Sequence, residues 1–291
     1  MDPGLGFALI AAVVWGVYIY VLKQSFAGYP PAALAVLLNA FAIVWYLPVT
    51  VTRTELSPAV FDGFGLAEAG IVTLTAVMTA VAFVLFLQAI AEGDVSYVTP
   101  INKIVPVFVL PLEIIVFGAV LSPLQVAGVV VATVAVYVAN YDPGGLLRPI
   151  VTAVHSRPAQ LAVLSAMCFA VSDLGKRISL QELAIPEPLW VPLLLAGITI
   201  VLLPSAVRNP PTAVRNDLPK LAGGGAIVAL GEHVTTLAFA ALPASIASPI
   251  INTQAIVAVI LGGALLGERY FRLRLLAAVL AVIGVALIAL Y

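Results

Sequence analysis

Apolar residues run almost without interruption along the chain, and the polar clusters between them fall at nearly regular distances. A helix needs about 20 mostly apolar residues to cross the hydrocarbon core of a bilayer. Ten such stretches can be drawn: 4–23, 31–51, 67–91, 96–119, 122–140, 159–177, 188–206, 219–241, 245–266 and 272–290. Proline and glycine punctuate the gaps, as in Gly28-Tyr29-Pro30-Pro31, Ser122-Pro123, Asp142-Pro143-Gly144-Gly145 and Arg208-Asn209-Pro210-Pro211, where they end helices. The runs are too long and too continuously apolar for barrel strands, which alternate between lipid-facing and lumen-facing residues. The pattern predicts an all-α membrane protein with ten transmembrane helices.

A polar linker at 142–157, carrying Arg148, His155 and Arg157, separates a first half, 1–141, from a second, 158–291. The halves match one another. Shifted by 154 positions, Ala8, Ala12, Trp15, Val17 and Lys23 fall on Ala162, Ala166, Phe169, Val171 and Arg177. Shifted by 149, Ser96, Thr99, Pro100 and Ile101 fall on Ser245, Ser248, Pro249 and Ile250, and Gly118, Leu124 and Val130 on Gly267, Leu273 and Val279. Five crossings per half is an odd number, so the second half must enter the membrane from the opposite side. Two inverted five-helix repeats are therefore expected. Many secondary transporters have this architecture, with the substrate site near the midplane where the repeats meet.

Composition narrows the function further. Of 291 residues, 63% are hydrophobic and 9% charged, against roughly 25% charged in soluble domains. The 13 Lys+Arg and 14 Asp+Glu leave a net charge of −1, without the basic face that nucleic-acid binding needs. Cys168 alone supports neither a disulfide framework nor a Cys-based metal site. No Lys or Arg precedes the first apolar run, so no cleaved signal peptide is expected. Neither a metal nor a cofactor is expected. No G-x-x-x-x-G-K-[ST] loop occurs, which leaves an ion gradient or the substrate's own gradient as the energy source.

Trp15-Gly16, the Ala238-Phe239-x3-Pro243-Ala244-Ser245 run and the Leu266-Gly267-Glu268-Arg269 turn resemble the EamA branch of the drug/metabolite transporter superfamily. The resemblance covers essentially the whole chain. In the first half, Phe117-Gly118-Ala119-Val120 stands where that turn would be and lacks its acid–base pair, so the two halves are functionally unequal. The resemblance implies export or uptake of small metabolites, often amino acids.

An ionisable group at the centre of a span costs about 2.5–3.5 kcal/mol and faces protein or water. The ionisable candidates are Lys103, Glu113, Asp173, Glu232 and His233, with Asn39, Gln88, Asn102, Asn252 and Gln254 as uncharged companions. Ser96, Thr99 and Lys103 follow helical spacing on one face, and Ser245, Ser248 and Asn252 repeat the stripe. Pro100 and Pro249 inside the stripes free carbonyls that protein or cavity water must satisfy. The stripes line a cavity on one reading and make interhelical hydrogen bonds on the other. Trp15 and Tyr18 form either a cavity wall or ordinary packing. Asp173 either faces the cavity or pairs with Lys176 and Arg177 at a helix end. The expected substrate site is Trp15, Tyr18, Asn39, Ser96, Thr99, Asn102, Lys103, Asp173, Ser248, Asn252 and Gln254. Glu232 and His233 are adjacent in mid-span and suit proton coupling, or Glu232 pairs statically with Lys103.

These residues point to a secondary carrier rather than an enzyme, since no H-E-x-x-H motif, metal cluster or nucleophile elbow accompanies them. The mixed charges suit amino acids or related zwitterions. Anionic phosphorylated metabolites, organic cations and a membrane scaffold or sensor are the alternatives. The expected partners are a small-molecule substrate and the lipid bilayer of the cell membrane, without nucleic acid. Small-residue faces (Gly128, Ala132, Ala135; Ala277, Ala281, Gly284) suit close contact within the chain or in a homodimer. Connections after spans 1, 5, 7 and 9 hold Lys23, Arg148, Arg157, Arg208, Arg215, Lys220, Arg269, Arg272 and Arg274, and those after spans 2 and 6 hold Arg53, Lys176 and Arg177. The positive-inside rule then puts both termini outside, whereas the resemblance implies cytoplasmic termini; the charges are followed here.

Overall fold

The computed structural model describes residues 3–53, 65–118, 155–211, 214–266 and 271–289, with scattered positions in 122–138. Most of the expected fifth span, the linker before 155 and positions 267–270 of the Leu-Gly-Glu-Arg turn lie outside the described residues. The first half forms α1 (Pro3–Phe26), α2 (Pro31–Arg53), α3 (Leu66–Glu92), α4 (Val95–Asn102) and α5 (Val105–Phe117). The second forms α6 (Arg157–Arg177), prolonged by a π-helical turn at Ile178–Glu182, then α7 (Glu187–Arg208), α8 (Leu218–Ala241), α9 (Ala244–Asn252), α10 (Gln254–Leu265) and α11 (Phe271–Ala289). Among the described residues, eight spans are long and apolar enough to cross a membrane, with α4–α5 and α9–α10 each counting as one. The helix α11 coincides with the expected tenth. Large apolar side chains such as Leu9, Val13, Val44, Ile115, Ile200 and Val207 are exposed on the outside, as lipid contact requires.

Two spans are broken, the first for a local reason. Proline cannot donate a backbone hydrogen bond and clashes with the carbonyl four residues earlier. Pro106, at the second position of α5, enforces the break after Asn102, where Lys103 and Ile104 leave helical geometry with ψ of 16° and 13°. Pro249 stands inside α9, and the chain re-enters a helix at Gln254 after Thr253. There the Asn252 amide donates to the Ser248 carbonyl (2.7 Å) and the Thr253 hydroxyl to the Ile250 carbonyl (2.7 Å).

The halves pack by exchange. The first helix of each half lies against the third of the other, α1 on α8 and α6 on α3, while the two second helices, α2 and α7, face one another. Two apolar clusters result, and Trp15, Phe83 and Phe169 touch both. At the end of the bundle where α1 finishes, Arg274 binds Asp94 (2.7 Å), Arg157 binds Glu92 (3.3 Å), and Tyr29 donates to Asp217 (2.8 Å). The bond from Lys220, with that from Tyr29, holds the Asp217 carboxyl below the usual carboxylate range.

Close helix contact depends on particular glycines. A Cβ at Gly225 of α8 would lie 2.4 Å from the Phe41 Cβ and 3.0 Å from the Ala42 backbone nitrogen, whereas one at Gly223 would meet nothing within 4 Å. Gly225→Ala is therefore expected to lose about 1–3 kcal/mol through overpacking against α2. Gly223→Ala gains helix propensity, up to about 1 kcal/mol. Thermal unfolding of the two variants in one detergent checks the opposite signs.

Candidate functional site

The two helix breaks and the helices that face them border a partly open cavity of about 110 Å³. It lies between the two apolar clusters, with Trp15, Phe83 and Phe169 in its wall. Lys103 reaches it from the break between α4 and α5, and Asn252 and Gln254 flank the break between α9 and α10. Asp173 and Lys176 come from α6, Glu232 and Thr235 from α8, Asn39 from α2 and Thr79 from α3. This is the arrangement that discontinuous helices produce in membrane carriers, where non-helical backbone is tolerated if it borders a cavity.

Four charged side chains share this space, and they are not equally paired. Lys176 Nζ and Glu232 Oε2 are 3.4 Å apart and both buried. The Asp173 carboxylate accepts a hydrogen bond from Ser248 Oγ at 2.7 Å but has no ion-pair partner among the described residues. Lys103, 7% exposed, has neither a hydrogen bond nor an ion pair among them. Its ammonium is instead flanked by the rings of Phe86 and Phe169, 4.9 and 5.2 Å from their centroids, an arrangement the ring quadrupoles favour. Asn39 and Gln254 likewise make no hydrogen bond to another described residue. The buried Tyr18 hydroxyl is also unpartnered. Buried polar groups are rarely left so; of the fully buried unpartnered polar atoms among the described residues, the Tyr18 hydroxyl is the one that belongs to a cavity-lining residue.

The aromatic wall is ordered. Trp15 Nε1 donates to Thr235 Oγ1 at 2.9 Å. Its ring meets Tyr18 edge-on at 5.3 Å, and Tyr18 stacks on Phe83 at 6.2 Å.

Of the expected substrate residues, Trp15, Tyr18, Asn39, Lys103, Asp173, Asn252 and Gln254 border the cavity, as does Glu232. Ser96, Thr99, Asn102, Ser248 and His233 do not. Ser96 Oγ accepts from Arg274 (2.8 Å), and the Asn102 amide donates to the Ala162 carbonyl (3.2 Å). The stripe through Ser96, Thr99 and Lys103 fails because α4 ends at Asn102. Helical spacing does not carry across the break, so Lys103 turns to the cavity while the other two stay against their neighbours. Ser248 stands behind Asp173 rather than in the cavity. His233 lies on another face of α8, with Nδ1 2.8 Å from the Tyr46 hydroxyl, and so is separated from its sequence neighbour. The expected pairing of Glu232 with Lys103 is replaced by Lys176.

Lys176 was missed as a site residue because its distance from Asp173 fits a pair at a helix end. The same spacing put both side chains on one face of α6, which was the available signal. Arg177 is the residue at the helix end: it binds Glu113 (3.4 Å) and covers the Phe117 ring at 3.9 Å. That gives Glu113 the partner its sequence did not reveal.

Comparison with known proteins agrees with this fold. A solved structure described only as "Crystal structure of protein" superposes with a TM-score of 0.67 at 15% identity, over 98% of this chain and 95% of that one, a likeness of fold. No curated protein matches the sequence. The model of the EamA-like transporter family matches twice, at residues 2–141 and 157–290, once in each half. The chain belongs to the EamA-like transporter family and is an integral membrane transporter of small molecules.

Proposed function

We propose that the protein is a secondary carrier of small zwitterions, amino acids first among them, working by alternating access of two inverted five-helix repeats. One observation carries the substrate class. Lys176 and Glu232 are in direct ion contact, whereas Lys103 and Asp173, which feel each other's charge, border the cavity without such a contact to any described residue. A zwitterion brings the complement of each, its carboxylate for Lys103 and its ammonium for Asp173, with Asn39, Gln254 and Tyr18 Oη left to complete the hydrogen bonds. A phosphorylated anion would find one free ammonium beside an acid. An organic cation would leave Lys103 unanswered. A scaffold without ligand would carry the cost of both charges for nothing.

The exchange packing of α1 on α8 and α6 on α3 supports repeats related by a two-fold axis, and an axis in the membrane plane requires five crossings per half, ten in all. The division is taken as 1–141 and 158–291 around the linker 142–157. By the Lys and Arg count, the end holding Lys23, Arg157 and Arg274 faces the cytoplasm of a cell carrying the protein in its plasma membrane. The small-residue face of α11 is buried within the chain, with Ala277 and Ala281 covered, so it serves close contact between helices of one chain rather than a homodimer.

The charge sum bears on coupling. Lys103, Lys176, Asp173 and Glu232 add to zero, and so does a zwitterion. A loaded carrier then crosses without net charge and has no electrostatic need of a proton. Glu232 keeps Lys176 when substrate reaches Lys103, so substrate does not strip it of its counter-charge. Its part here is to hold Lys176 neutralised.

In purified, folded protein, Lys103→Ala is expected to abolish binding of neutral amino acids, and Asp173→Asn to weaken it at least about tenfold, the loss of about 1.4 kcal/mol. Titration calorimetry measures this, with thermal unfolding to confirm the fold. Unchanged affinity in Lys103→Ala sinks the zwitterion reading. Glu232→Gln alone is expected to lose about 3–5 kcal/mol by leaving Lys176 buried without its partner, and Lys176→Met in the same chain to recover most of it. Thermal unfolding of the three variants checks this. In proteoliposomes, substrate is expected to equilibrate but not to accumulate under an imposed pH gradient or membrane potential. Accumulation driven by the pH gradient would return Glu232 to a coupling role.

A further inference from the structure

The Trp15 indole is held from behind. On α8, Gly231 and Thr235 stand one turn apart on the face turned to α1. A Cβ at Gly231 would lie 2.8 Å from Trp15 Cε2 and Cζ2 and 3.1 Å from Cη2, closer than side-chain carbons approach. The ring therefore lies against the α8 backbone itself, a seat that only glycine leaves open. The bond from Nε1 to Thr235 Oγ1, 2.9 Å, satisfies the one polar atom of the ring and fixes its rotation. Tyr18, packed edge-on at 5.3 Å, stands beside it, itself stacked on Phe83. The indole borders the cavity and is tied to α8 by its seat and its bond.

We infer that Trp15, seated on Gly231 and tied to Thr235, sets the upper size of the substrate: the cavity takes zwitterions with short side chains and excludes those with aromatic ones. This rests on the carrier reading of the same cavity. The volume makes the argument. The cavity is partly open, and its volume of about 110 Å³ is below the roughly 150 Å³ of a closed cavity that admits benzene, so the limit is set on the side the indole walls off. Once a carboxylate and an ammonium occupy the region between Lys103 and Asp173, the remainder holds a few carbons. A larger side chain must displace a wall, and the indole gives way only by losing its hydrogen bond and its seat. Gly231 and Thr235 are positioning residues in this sense; they act on substrate through the ring.

The two sides of the seat predict opposite effects. Gly231→Ala pushes the indole off α8 toward the cavity and lowers the size limit. Trp15→Phe removes one ring together with the bond to Thr235 and raises it. The test is titration calorimetry of the full-length protein in detergent with glycine, alanine, serine, valine, leucine, phenylalanine and tryptophan. Amines and carboxylates of matching size accompany them. For the native protein, affinity is expected to fall about tenfold or more once the side chain exceeds the limit, the scale on which a tight apolar pocket reads one surplus methylene. Trp15→Phe is expected to recover at least that factor for valine and leucine. Gly231→Ala is expected to lose it for alanine and serine while retaining glycine. Equal affinity across all sizes, or a limit that moves in neither variant although both melt like the native protein, overturns the inference. If only amines or only carboxylates bind, and the limit moves as described within that class, the zwitterion reading falls and the inference about Trp15 stands. Binding of nothing in the panel overturns both.

Discussion

Charge in an apolar bundle is the constraint on which the rest of this structure depends. Two lysines and two acids stand among helices whose other residues are largely Ala, Val, Leu and Ile. Each would be expelled unless something answered it. Lys176 and Glu232 answer each other; Asp173 is met by the Ser248 hydroxyl; Lys103 is met by the π faces of Phe86 and Phe169. These are unequal solutions. A hydroxyl and two ring faces are weaker partners than an opposite charge, and the two groups so treated border the space that a substrate would enter.

The helix breaks make the arrangement possible. A continuous helix would carry Lys103 round to the phase of Ser96 and Thr99, against α6 and α11. Pro106 prevents this by removing a backbone donor, and the residues left between α4 and α5 place their side chains by turn geometry. The second break, after Asn252, brings Asn252 and Gln254 to the same cavity, and the Asn252 amide also bonds the Ser248 carbonyl one turn earlier. A break of this kind is tolerated because it borders a cavity rather than lipid.

The spans were legible because a membrane crossing demands an unbroken apolar run, and such runs end at Pro–Gly clusters whatever the tertiary context. Depth was legible too: Lys103 and Glu232 stood out from position alone, since no interfacial reading suits an ionisable group so far from a span end, whereas Asp173, near the end of its span, stayed open between the cavity and a helix-end pair. Partner choice was not. Glu232 meets Lys176 through the packing of α8 against α6, and no one-dimensional spacing encodes which face two distant helices present. Ser96 and Thr99 were misplaced because helical phase was carried from Lys103 through a break that Pro106 creates. His233 was misplaced because adjacency in a helix separates side chains by roughly 100°, enough to put one neighbour in the cavity and the other against Tyr46. Arg177 and Lys176 differ by the same rotation, and it decides that one closes on Glu113 at the helix end while the other is buried against Glu232.

The repeats are alike in packing and unlike in charge. Position for position, Lys103 in the first half corresponds to Asn252 in the second, and Trp15 to Phe169. On the proposed mechanism, the exchange of first and third helices between halves would give the backbone two related ways to close, one at either end. Both ends are tied by arginine–carboxylate pairs, Arg274–Asp94 and Arg157–Glu92 at one, with Tyr29–Asp217 beside them, and Arg177–Glu113 at the other. Were the cavity as symmetric as the packing, it would carry two ammonium groups or two amides, and a ligand with distinct ends would have no preferred direction. Replacing one lysine of such a pair by asparagine keeps the hydrogen-bonding reach and removes the degeneracy. In the proposed carrier, a symmetric backbone would then move between two equivalent closures while a single asymmetric site keeps one orientation of its ligand throughout.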